Sequence, residues 1–115
     1  MSIPIRPFEK RLITHDPPRG GFEEWLIAET ESYIGKLLIY RAGYAGPLQY
    51  HERKEETFYV HRGNGLVDYD PGSGKLLRVA ANPGQSFHIP PGAVHRFTAI
   101  TECIVFEASN AVFDD

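Results

Sequence analysis

Glycine or proline interrupts most of this chain every eight to twelve residues, and that rhythm constrains the fold more than any other feature. Eleven glycines and nine prolines among 115 residues leave only short runs between breaks. Those runs are rich in β-branched and aromatic residues, which suit a pleated, half-buried surface. The pattern predicts strands at Arg11–Thr14, Glu24–Ala28, Ile34–Arg41, Leu48–Arg53, Thr57–Arg62, Gly65–Tyr69, Leu76–Ala80, Ser86–Ile89, Arg96–Ile100 and Glu102–Glu107. No stretch sustains the 3.6-residue period of an amphipathic helix. So many short strands must close on themselves or pack as two sheets, because open edges invite aggregation. The expected fold is all-β, a small closed barrel or jelly roll.

Turn chemistry agrees with that expectation. Arg62-Gly63-Asn64-Gly65 joins two strand runs, with positive φ expected at Gly63 and Asn64. Asp70-Pro71-Gly72-Ser73-Gly74 reads as a second hairpin loop. Pro90-Pro91-Gly92 fixes the chain just ahead of His95 and cannot lie inside a central strand.

The length fits one domain over residues 1–115, with Met1 to about Pro18 more weakly patterned and read as an arm. Hydrophobic residues at 42% and charged residues at 23% predict a folded, soluble globule. A net charge of −3 without a basic stripe argues against a nucleic-acid partner. Apolar runs such as Lys36–Tyr40 are too short to span a bilayer, and the first residues lack the apolar core of a secretory signal. A cytoplasmic location is therefore expected. Cys103, the lone cysteine, lies in an alternating apolar run and reads as a buried, inert thiol.

Two spaced patterns carry the chemistry: Gly43-x5-Gln49-x-His51-x4-Glu56-x6-Gly63 and Gly84-x5-Pro90-x-Gly92-x2-His95. Side chains alternate faces along a strand, so Gln49 and His51 point the same way, with Arg53 following if the strand persists. Lys54-Glu55 suits a bend. On the return strand Glu56 faces inward with Phe58 and Val60, and His61 takes the other face. His95 arrives after the Pro-Pro-Gly turn. An amide, two imidazoles and a carboxylate thus gather as candidate ligands for a divalent metal, with zinc, manganese, iron and nickel all compatible. Phe58, Phe87, Phe97 and Phe106 are expected to fill the core. Arg53 and Arg96 neighbour the ligand positions and could hold a phosphate or carboxylate, or else be solvated rim charges. His88 reads either as a core imidazole or as a pocket residue.

These two patterns resemble the two motifs of the cupin superfamily. That family's first motif is His-x-His-x4-Glu; here Gln49 stands at the first histidine, while His51, Glu56 and His95 match. Ala99 stands where the second motif often carries asparagine. A Gln, His, Glu, His set is similar to the zinc ligands of mannose-6-phosphate isomerases. Pro47-Leu48-Gln49-Tyr50-His51 is one residue short of their Leu-x-x-Gln-x-His spacing. Gly21-Phe22-Glu23-Glu24-Trp25 and Ile89-Pro90-Pro91-Gly92-Ala93-Val94-His95-Arg96 also resemble small isomerase-like cupins.

The resemblance implies a metal-dependent sugar or sugar-phosphate isomerase, interconverting aldose and ketose through an enediolate, with Arg53 or Arg96 on the phosphate. Such chemistry needs a general base, and only Glu55 and His88 are uncommitted near the site. A non-haem metal dioxygenase and a non-catalytic sugar- or metabolite-binding cupin are the alternatives. A small-molecule substrate and a homodimer are the expected partners, with no membrane involved.

Overall fold

In the computed structural model, which describes residues 2–15 and 21–112, the strand runs fold into two antiparallel sheets. The strands are β1 (Arg11–His15), β2 (Phe22–Glu29), β3 (Tyr33–Tyr40), β4 (Glu56–Arg62), β5 (Gly65–Tyr69), β6 (Leu77–Ala81), β7 (Ser86–Ile89), β8 (His95–Ala99) and β9 (Cys103–Asn110). The larger sheet runs β1-β2-β3-β9-β4-β7 and the smaller β6-β5-β8. The all-β, jelly-roll expectation holds, as two sheets packed over a shared core. Among the described residues no helix is long and apolar enough to cross a membrane. Residues 2–10 form no regular structure and are exposed, Arg11–His15 pairs with β2, and positions 16–18 of the expected arm lie outside the described residues.

Alternation assigns each strand two faces. Leu38 of β3, Phe58 and Val60 of β4, Val105 of β9, and Val67, Ala81 and Ala99 of the smaller sheet form one buried cluster. Cys103 joins it, fully buried, with its thiol harder to ionise through burial and then the nearby Glu102 charge. This core fills only part of the space between the sheets. The rest is a cavity of about 370 Å³, walled by the same inward parity of β2, β3, β4, β8 and β9.

The opposite face of the larger sheet corrects one expectation. Trp25, Leu37, Phe106 and Tyr59 stand in register across β2, β3, β9 and β4. Phe106 is 37% exposed and Tyr59 41%, so Phe106 lies on the outer surface and not in the core. The reason is parity: Val105 takes the inward position, which forces its neighbour out.

A second correction concerns the strand expected over Leu48–Arg53. Residues 43–51 instead trace the edge of β8 irregularly, bridging it only at Ala45↔Thr98 and Gln49↔His95. Between those bridges Gly46, Pro47 and Leu48 oppose only Arg96 and Phe97, so the ladder bulges. Pro47 lies within the bulge and has no N–H to give a ladder.

Two glycines are needed where they stand. Gly63 has φ 88°, and a Cβ there would lie 2.0 Å from the carbonyl oxygen of Glu102. Asn64, expected to share that conformation, keeps negative φ and instead accepts the N–H groups of Ile100 and Thr101. Gly92, at φ 85°, donates its N–H to the His51 carbonyl at 2.7 Å, which ties the second motif to the first.

Candidate metal centre

Each candidate ligand is placed by a different element. Glu56 opens β4 and His95 opens β8, both nearly sealed from solvent, at 4% and 5% exposure. His51 sits in the irregular segment between Gln49 and β4, fixed by the Gly92 contact. Gln49 and His95 exchange both backbone hydrogen bonds, at 3.0 and 2.9 Å, so their side chains start from adjacent positions. His51, Glu56 and His95 each offer a ligand atom, and these atoms lie within 4.8 Å of one another. Gln49 lines the same cavity.

The donors suit a divalent ion. His95 Nδ1 lies 2.9 Å from the Ala93 carbonyl, which orients the ring and turns Nε2 toward Glu56 Oε1 at 3.4 Å. An imidazole held this way at one nitrogen and aimed with the other is how metal-binding histidines are usually supported. Without an ion, burial opposes the charged form of His95, but Glu56 and the Ala93 carbonyl more than offset it and raise its proton affinity. Burial likewise disfavours the Glu56 carboxylate, yet His95 and Lys54 hold its pKa far below the usual range. Positive charge at this spot is therefore strongly favoured.

The structure adds charged residues that the sequence reading left out. Lys54 turns into the cavity, with Nζ 3.0 Å from Glu56 Oε2 and 3.3 Å from Glu107 Oε2. Alignment is poor, because neither of those buried oxygens completes a hydrogen bond. Burial and then the Glu56 charge push the Glu107 carboxyl up to about 7. Lys36 Nζ meets Glu24 Oε2 at 2.7 Å on the same wall, and Lys36 is the register partner of Glu107. The signal for all four is parity. Glu24 alternates with buried Leu26, Lys36 with Ile34 and Leu38, Glu107 with Val105, and Lys54 with Glu56. A charge at an inward position of an apolar strand marks a site.

The other expected site residues lie elsewhere. Arg96 follows inward His95 and so faces out, where its guanidinium and that of Arg78 clamp buried Asp68 at 3.0 and 2.7 Å. Arg53 is exposed and does not line the cavity. His88 is neither core nor pocket: it is exposed and pairs with Glu55 at 2.6 Å on the surface. The two groups open to serve as a base thus meet each other outside the cavity.

The remaining cavity wall is aromatic. Phe22 and Tyr40 stack at 4.9 Å, Tyr40 contacts Phe97 at 4.9 Å, and Tyr44 closes the group. Burial first, then the acids Glu107 and Glu24, raise the Tyr40 pKa well above its ordinary value and keep its hydroxyl protonated.

The profile of the cupin domain family matches residues 36–108, a span that contains both motifs and Glu107. The chain is a member of the cupin family. Solved structures extend the likeness over nearly the whole chain. KdgF from Halomonas sp. superposes with a TM-score of 0.71 at 22% identity, covering 90% of this chain and 92% of that one. An RmlC-like cupin from Shewanella frigidimarina gives 0.70 at 22% identity, covering 89% and 86%. The capsular polysaccharide assembling protein CapF from Staphylococcus aureus gives 0.74 at 20% identity, covering 93% of this chain and 30% of that one. A search of curated proteins finds no match. At these identities the likenesses carry the fold and not an activity.

Proposed function

We propose that this cupin is a metal-dependent isomerase that interconverts an aldose and a ketose, acting on a sugar or sugar phosphate. The observation that carries the reading is the placement of Glu107. Its carboxylate lies in the wall of the cavity, beside the His51, Glu56 and His95 group, in surroundings that raise its affinity for a proton toward neutrality. Aldose–ketose interconversion moves a proton between neighbouring carbons, and a carboxylate tuned to working pH suits that task.

In this reading His51, Glu56 and His95 hold a divalent ion, with Gln49 as a fourth donor. The ion supplies Lewis acidity toward the oxygens of the substrate. Glu107 takes the proton from C2 of the aldose and delivers it to C1, while the proton of the C2 hydroxyl passes to the oxygen on C1, which completes the ketose. Lys54, shared between Glu56 and Glu107, keeps the two carboxylates in place. The Tyr40 hydroxyl, held protonated, is available as a hydrogen-bond donor to the substrate. The aromatic wall keeps bulk water away from the reacting carbons.

Metal-loaded protein incubated with an aldose in D2O under anaerobic conditions tests this. Ketose formation with deuterium at C1 of the ketose, followed by NMR, is the expected result. Oxygen consumption in air without exchange would instead place the protein with the dioxygenases. Saturable binding with neither outcome would leave a binding cupin.

A further inference from the structure

Charged residues form a continuous ladder across the inner face of the larger sheet. Glu24 on β2 meets Lys36 on β3 at 2.7 Å, and Lys36 stands opposite Glu107 on β9. Lys54 then bridges Glu107 and Glu56 on β4 at 3.3 and 3.0 Å, and His95 from the other sheet ends the series 3.4 Å from Glu56. The side chains of Lys36 and Glu24 are 11% and 19% exposed, and both line the cavity.

Buried ion pairs contribute little net stability compared with apolar side chains of the same volume. A pair kept in a cavity wall, away from the metal-binding end, is better explained by what it contacts. Adjacent carboxylate and ammonium groups offer an acceptor beside a donor, matching a run of hydroxyls on neighbouring carbons. Phe22 and Tyr40, further along the same two strands, together with Phe97 and Tyr44 on the β8 side, give flat apolar surface for the C–H side of such a chain. Both lysines already face carboxylates, and no arginine lines the cavity among the described residues. Arg96, the residue best placed by sequence to hold a phosphate, is bound to Asp68 outside.

We propose that Glu24 and Lys36 form a hydroxyl-binding subsite for an unphosphorylated sugar, whose carbonyl end lies at His51, Glu56 and His95. The proposal rests on the isomerase reading and narrows its substrate to a free sugar.

Titration of the zinc-loaded protein with mannose and with mannose 6-phosphate, followed by NMR, tests it. The phosphate ester is expected to bind no more tightly than the free sugar. Lys36→Met is expected to weaken mannose binding about tenfold while zinc affinity stays within about twofold, since removed contacts to a ligand act locally. A tenfold or greater preference for the phosphate ester overturns the free-sugar assignment and leaves the isomerase reading standing. Unchanged mannose affinity in Lys36→Met overturns the subsite. If neither compound binds the loaded protein, the subsite falls, and the exchange experiment in D2O decides the isomerase reading separately. The comparison of the two compounds on the parent protein stands even where the variant does not fold.

Discussion

Replacing Lys54 with methionine probes the charge network directly. Methionine keeps much of the stem's volume but removes the cation that stands 3.0 Å from Glu56 and 3.3 Å from Glu107. Two nearly sealed carboxylates are then left side by side. Removing one partner of a buried ion group costs about 3–5 kcal/mol, because the remaining charge is uncompensated. An unfolding entropy of ~2.1 cal/mol/K per residue over 115 residues is about 0.24 kcal/mol/K, so the variant should melt ~12–20 °C below the parent in chelator near pH 8.

The sign of the pH dependence follows from Glu107. Burial first, and then the Glu56 charge, raise its folded pKa to about 7. Folding thus favours its protonated form, and the cost of the charged form develops as pH rises from the unfolded carboxyl range through the folded value. The deficit of Lys54→Met therefore opens as pH rises through that folded value, where the parent ionises Glu107 beside Lys54 and the variant does not, and it shrinks as pH falls toward about 5. Saturating zinc replaces the lost positive charge and recovers part of the deficit. Thermal melts of both proteins at the two pH values, with and without zinc, make the measurement. A variant that melts within about 2 °C of the parent near pH 8, at roughly 4 °C per kcal/mol, would refute the network as described.

Other perturbations separate chemistry from scaffold. Glu107→Gln should lower turnover by about 10²–10⁴-fold, the usual range for a lost general base, with metal content by mass spectrometry unchanged. Arg96→Ala should leave turnover of the folded protein within about twofold, because its guanidinium is bound to Asp68 outside the cavity; a large loss would return Arg96 to the substrate. The outer face of the larger sheet predicts self-association. Five strand spacings of ~4.8 Å and central strands of eight residues at ~3.3 Å give roughly 600 Å². A standard interface covers ~800 Å² per partner, and the arm, with Ile3 83% and Ile5 98% exposed, can supply the remainder on a second copy. Light scattering should find a dimer that Phe106→Glu converts to monomer, and a monomeric parent would remove that assignment.

Much of the fold was legible because turns and alternation are local. Glycine and proline marked the breaks, and the parity of Phe58 and Val60 oriented Glu56 without reference to other strands. The motif histidines were legible from their fixed spacing to the glycines and prolines beside them, although the contacts that join the two motifs, Gly92 to His51 and Gln49 to His95, are long-range. What failed depended on partners distant in sequence. Alternation alone extends a strand over residues 48–53, but Pro47 and the edge of β8 impose a bulge over residues 46–48 that ends regular pairing. Arg96 looked well placed by proximity to His95, although adjacent strand residues face opposite ways and Asp68 was waiting on β5. Lys54 and Glu107 were missed because a lysine in a charged run and a glutamate at a strand end resemble solvent-facing residues. Only the tertiary pairing, 55 and more positions apart for several contacts of this loop, reveals that they meet.

Anomalous diffraction from crystals equilibrated with zinc is the most direct examination of the central claim. The expected map holds one strong peak at ~2.0–2.2 Å from a nitrogen of each histidine, 51 and 95, and from an oxygen of Glu56. Density for zinc only on the surface, with the His51, Glu56 and His95 pocket empty at saturating metal, would contradict it.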